Sequence, residues 1–275
     1  MTIKNLSIAS LIAASATLGF TSCNSDSPDN EIFPVPDQVF TAGIPSSVDG
    51  LAVTKDSQGR VVQIKGLNEE LNFNYRSASR ANDYDMTIDY ISDGKHEYTF
   101  YCRLNSKRFL SYALQVSANG NEGDNDEWWF DYNSDGQLTY LKRSEGDNEI
   151  TRITYDNNGD IIKTSTSDDS NGTPDVCTIE YTSDNIVKPM DNVGCVMMFD
   201  DFFGIDMDEM GTVYYAGLLG NATAHCPMKL THEGENSYNI FDWTISITGL
   251  PALITATSYN DGEPTRTWNV ARFTW

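Results

Sequence analysis

Residues 153–162 read Ile153-Thr154-Tyr155-Asp156-Asn157-Asn158-Gly159-Asp160-Ile161-Ile162: alternating apolar and polar side chains, a polar turn closed by glycine, and a second apolar start. Alternation is the period of an extended strand with one buried face, and Asn and Gly tolerate the positive φ that tight hairpin turns require. The stretch is a β-hairpin. Residues 53–62 (VTKDSQGRVV) and 130–138 (FDYNSDGQL) repeat it, and Arg103-Leu104-Asn105-Ser106-Lys107-Arg108-Phe109-Leu110 is a fourth copy without the glycine.

Working outward, looser polar connections such as 77–82, 119–126, 145–148 and 168–174 separate these hairpins. Tight turns at one end and longer loops at the other describe an up-and-down antiparallel meander. Met86, Ile88 and Tyr90 point one way while Thr87 and Asp89 point the other, which is the pattern of a sheet with one buried and one wet face. The expected fold is all-β: one large meander over residues 50–275, curled or half-closed into a barrel. The pattern breaks at Pro189. Residues 193–220 (VGCVMMFDDFFGIDMDEMGTVYYAGLLG) are rich in Met and Phe and lack period two, so residues 189–221 are read as a helical or irregular insertion whose apolar side plugs one end of the sheet. Hairpins resume from residue 237 and end on an aromatic strand, 265–275.

The N-terminus carries an address. Lys4 begins a basic segment, residues 6–20 form an apolar run, and Gly19-Phe20-Thr21-Ser22-Cys23 closes it with small residues before a cysteine. This is a secretory signal, residues 1–22, ending in a lipobox, and it is too short to span a bilayer core of ~30 Å. The mature chain is expected to start at Cys23 with acyl chains on its thiol, followed by an acidic tether over residues 23–49. The composition, 18 Lys and Arg against 40 Asp and Glu for a net charge of −22, disfavours nucleic acid, which needs clustered cations. The same charge repels an anionic leaflet, so membrane attachment falls to the lipid.

Beyond Cys23, four cysteines remain in an exported setting: Cys102, Cys177, Cys195 and Cys226. Cys102 shares a strand face with Tyr98, Phe100 and Leu104 and reads as a buried small hydrophobe. Three complete pairings of the four are open. The bridge expected, if one forms, is Cys195 with Cys226, closing off the insertion.

The lipobox, the D-x-x-G hairpins, the segment Tyr215-Ala216-Gly217-Leu218-Leu219-Gly220 and the aromatic last strand together resemble the DUF4595 family over residues 53–275. That resemblance implies a lipoprotein of Bacteroides-type bacteria with a porin-like β fold, and it implies no activity. A pore is not expected. On the last strand Trp268 and Val270 share a face with Arg266 and Arg272, and Asn269 interrupts Ala271, Phe273 and Trp275 on the other. Neither face offers the continuous apolar band of a membrane barrel.

No catalytic residue emerges. G-x-S-x-G elbows, H-E-x-x-H helices and phosphate-cradling glycine loops are missing from the sequence, and 40 acids make close carboxylate pairs uninformative. Asp131-x-Asn133-x-Asp135-Gly136 opens like a calcium loop, but its twelfth position is Lys142 where a bidentate Glu is needed, so no metal or other cofactor is expected. Trp128 and Trp129 are adjacent, and neighbours on a strand face opposite sides. One is expected in the core, while the other either caps the sheet end by packing on Tyr132 or Tyr140 or offers a platform for a sugar ring or a partner protein. The functional expectation is a noncatalytic, lipid-anchored protein of the outer membrane that binds a glycan or another envelope protein. The alternatives are a structural accessory of an outer-membrane complex, recognised by a flat apolar patch, and a hydrolase with two carboxylates ~5–10 Å apart.

Overall fold

The computed structural model describes residues 36–75, 84–120, 125–144, 148–168, 172–183, 186–194, 204–205 and 207–275, all within one unit that spans Glu31–Trp275. Cys23, Cys195 and residues 1–22, expected to be a signal, lie outside the described residues. Sixteen strands follow one another: β1 (Ser47–Val48), β2 (Leu51–Lys55), β3 (Val61–Lys65), β4 (Glu69–Tyr75), β5 (Met86–Ser92), β6 (Lys95–Leu104), β7 (Leu110–Ser117) and β8 (Asp126–Tyr132), then β9 (Leu138–Arg143), β10 (Glu149–Tyr155), β11 (Ile161–Ser167), β12 (Asp175–Glu180), β13 (Lys229–His232), β14 (Ser237–Ile245), β15 (Pro251–Asn260) and β16 (Glu263–Thr274). Each pairs antiparallel with its chain neighbours, and β1 pairs with β16, so the meander closes into a barrel.

The four sequence hairpins share one cause. Asp56 Oδ1 accepts the N–H groups of Gln58 and Arg60, Asn105 Oδ1 those of Lys107 and Phe109, Asn133 Oδ1 those of Asp135 and Gln137, and Asp156 Oδ1 those of Asn158 and Asp160. A short side chain thus supplies the acceptor that folds each turn. Gly59, Gly136 and Gly159 sit at φ +82 to +86°, and in the copy without glycine Arg108 takes φ +69° in that place.

Closure is the point where the barrel goes beyond the half-open sheet expected. It depends on residues 46–49: Ser46 N–H donates to Thr274 O (2.7 Å), Asp49 N–H to Arg272 O (2.7 Å) and Val53 N–H to Ser46 O (3.0 Å). The sequence placed these residues in the tether. Val39, Phe40, Ile44 and Val48 are buried, so the tether boundary at residue 49 is corrected: residues 36–48 belong to the barrel, drawn in by apolar side chains scattered among prolines and serines.

The interior is mainly apolar, with a minority of buried polar groups such as Gln115, Arg143 and Asp160. Leu71, Phe73, Met86, Ile88, Phe100, Cys102, Trp128, Phe130, Leu230, Phe241 and Ile254 all point inward and are buried. The outward positions between them pair by polarity: Lys65 with Glu70 (2.5 Å), Gln63 with Asn72 (3.0 Å), Asn74 with Asp89 (2.9 Å) and Lys229 with Glu180 (2.9 Å). A membrane barrel has an apolar outer band and a polar lumen. This wall is arranged the other way round.

The insertion between β12 and β13 fills the lumen. A 3-10 helix, Asp208–Ala216, crosses it: near one mouth Asp208 pairs with Arg143 and Thr212 lies against Glu69 (3.5 Å). At the other mouth Leu218 O accepts from Leu110 N–H (2.8 Å), Asn221 N–H donates to Gly136 O (2.8 Å) and Ala224 N–H donates to Gly159 O (3.0 Å). Met207, Met210, Val213, Tyr214, Leu218 and Leu219 join the core. The plug expected at one end of the sheet is therefore a pin through its whole height. Gly220 shows how closely it fits, since a Cβ there would lie 2.4 Å from Gly136 O.

Candidate functional site: an aromatic and cationic row on the outer wall

β6 to β10 carry an unusual set of outward side chains. Cross-strand register places Arg103 opposite Tyr112, Tyr112 opposite Trp129, and Trp129 opposite Lys142. Four strands thus present one continuous row, which at ~4.8 Å per strand is about 14 Å long. Its members touch in sequence. The Arg103 guanidinium lies over Tyr112 (5.1 Å) and also over Tyr84 (5.2 Å), Tyr112 meets Trp129 edge to face (5.9 Å), and the Lys142 ammonium lies over Trp129 (5.0 Å). A second tier follows, with Tyr84 against Tyr101 (5.4 Å) and Arg152 over Tyr140 (5.2 Å).

The rings are half-buried and Arg103 and Arg152 exposed, as expected for amphipathic groups lying on a wet sheet. Cation–π contact holds each cation over a ring. Tyr112 donates to Glu127 Oε1 (2.7 Å), and burial together with that carboxylate holds its phenol above its ordinary pKa. On a chain of net charge −22 the row collects rigid aromatic area and positive charge in one place. Past the β6–β7 turn, an open groove of about 490 Å³ is lined by Ser106, Lys107, Arg108, Asp135 and Asn221 among others.

The two candidate tryptophans separate as alternation requires. Trp129 is in the row. Trp128 is fully buried, its Nε1–H donating to Gln115 Oε1 (3.1 Å) beneath the Arg143 guanidinium (4.7 Å), so it lines the core and meets no external ligand. The proposed bridge falls on Cys195, outside the described residues; its partner Cys226 is a buried free thiol 3.5 Å from Asp191 O. Asn133, the middle residue of the calcium-like run, spends its Oδ1 on two backbone N–H groups of its own turn.

The sequence missed Tyr112, Tyr140 and the cations beside them. Only the strand register shows that they line up. It also missed an inward cluster at the mouth near β12 and β13, where Asp175, Cys177 and His232 come together.

An antiparallel barrel with an apolar lumen, an internal pin and a polar wall is the class this chain defines. No protein-family model and no curated protein matches it. Among solved structures it is similar to a porin-like protein from Bacteroides uniformis, with a TM-score of 0.61 at 14% identity over 82% of this chain and 88% of that one. A porin-like protein from Bacteroides vulgatus aligns with a TM-score of 0.39 at 12% identity over 82% of this chain and 92% of that one. The first likeness establishes the barrel fold.

Proposed function

We propose that this chain is a noncatalytic binding protein of the cell envelope, held at the outer membrane by lipid on Cys23, that captures a glycan or another envelope protein on the Arg103–Tyr112–Trp129–Lys142 row. The row is the observation that carries the reading. Rigid, half-buried aromatic rings concentrate binding energy, and stacking on sugar rings needs flat aromatic area. The polar wall and packed lumen support attachment by a lipid over insertion. An assembly accessory would instead be recognised by a broad, flat apolar patch.

A glycan array and an envelope pull-down with the tethered domain test the reading, run beside Trp129→Ala and Tyr112→Ala. Capture by the parent protein, weakened by about 2 kcal/mol or more in Trp129→Ala, is the expected result. Equal capture by parent and variants contradicts it.

A further inference from the structure

We propose that Asp175, Cys177 and His232 form a binding site for a divalent transition-metal ion of the zinc class. Cys177 and His232 are direct partners in the β12–β13 register, and Asp175 stands two residues before Cys177 on the same face. His232 Nδ1 lies 3.3 Å from Cys177 Sγ and 3.7 Å from Asp175 Oδ1, and all three ligand atoms fall within 4.8 Å of one another. Tetrahedral zinc bound at ~2.3 Å to sulfur and ~2.0–2.2 Å to nitrogen or oxygen separates its ligands by about 3.5 Å. The spacing found needs only small side-chain adjustments to meet that value.

The surroundings fit a metal better than the other uses of a cysteine beside a histidine. In a nucleophilic triad the acid orients the histidine through the ring nitrogen that the nucleophile does not use. Here Asp175 and Cys177 address the same nitrogen, as ligands converging on one centre do. Binding would take the proton from Cys177 to solvent as the metal–sulfur bond forms. The Thr164 hydroxyl bonds to Cys177 and is placed to support the resulting thiolate. Gly204 covers the sulfur closely, since a Cβ there would lie 2.8 Å from Sγ, while the Asp175 side chain is 61% exposed and leaves the cluster reachable from solvent. The mixed sulfur, nitrogen and oxygen set disfavours calcium and magnesium, which take oxygen.

The test titrates cobalt into the mature chain, prepared without a polyhistidine tag, and then displaces it with zinc. The expected result is a single ion with a thiolate-to-cobalt charge-transfer band, a band lost in Cys177→Ser, and affinity reduced by about tenfold or more in His232→Gln and Asp175→Asn. Binding without the thiolate band, or no binding at micromolar metal, overturns the site. Should Cys177→Ser not fold, the other two variants decide, and unchanged affinity in both overturns it.

Discussion

Trp128 and Trp129 are consecutive on β8 and lie on opposite sides of the barrel wall, the first buried against Phe130 with ring centroids 6.5 Å apart, the second packed edge to face on Tyr112 at 5.9 Å. Their truncations should therefore differ. Trp128→Ala opens a cavity in the core and should cost about 3–5 kcal/mol. Trp129→Ala gives up one ring pair and one cation contact and should cost about 1–2 kcal/mol. Urea unfolding of the two variants checks this; equal losses would mean that both rings are core.

A buried acid fastens the pin to the barrel. Asp160 Oδ1 accepts from His225 N–H (2.8 Å) and from the Thr223 hydroxyl (3.1 Å), and its Oδ2 lies 2.7 Å from His225 Nδ1. Removing the shared acceptor in Asp160→Ala should cost about 3 kcal/mol and speed amide exchange at Ala224, whose N–H donates to Gly159 O. Unchanged exchange there would show that the apolar contacts hold the pin alone.

Glu69 faces the interior beside Thr212, and burial raises its pKa above the ordinary carboxylate value, with the Thr212 hydroxyl opposing in part. The folded state therefore holds this proton more tightly than the unfolded chain. Its contribution favours folding at low pH and is lost as pH rises from the ordinary value through the raised one. Glu69→Gln should melt no lower than the parent at neutral pH and flatten the pH dependence across that window. A variant that melts lower at neutral pH would mean that the ionised carboxylate stabilises the fold.

Calcium should leave the β8–β9 hairpin unaffected. A site at 100 times its dissociation constant would add roughly 2.7 kcal/mol, whereas the Asn133 oxygen is committed to the N–H groups of Asp135 and Gln137. The melting temperature in millimolar calcium should match that in chelator. A rise of several degrees that Asp131→Ala removes would refute this.

What the sequence made legible was local. The D-x-x-G hairpins could be read because each turn is folded by a side chain within four residues of its partner, as Asp156 is to Asp160, and the alternation of Trp128 and Trp129 follows from the pleat alone. Contacts set by distant pairing could not be read. Closure rests on the two-residue strand β1, too short to leave a period, in a segment whose prolines and acids read as linker. Cys177 and His232 are 55 residues apart and meet only because β13 returns beside β12 after the insertion. The outer row needs three strand registers at once, and the middle one, Tyr112 opposite Trp129, joins two separate hairpins that no tight turn sets in register.

A barrel that is polar outside needs another means of attachment, which we propose is lipid on Cys23. Replacing residues 1–23 with a cleavable signal that lacks a lipobox cysteine, then fractionating the cells with a carbonate wash, tests it most directly. The expected result is a folded barrel in the soluble periplasmic fraction without detergent, unlabelled by palmitate, while the parent chain is labelled and pellets with the outer membrane. An unlipidated barrel that stays in washed membranes and needs detergent for extraction would contradict it.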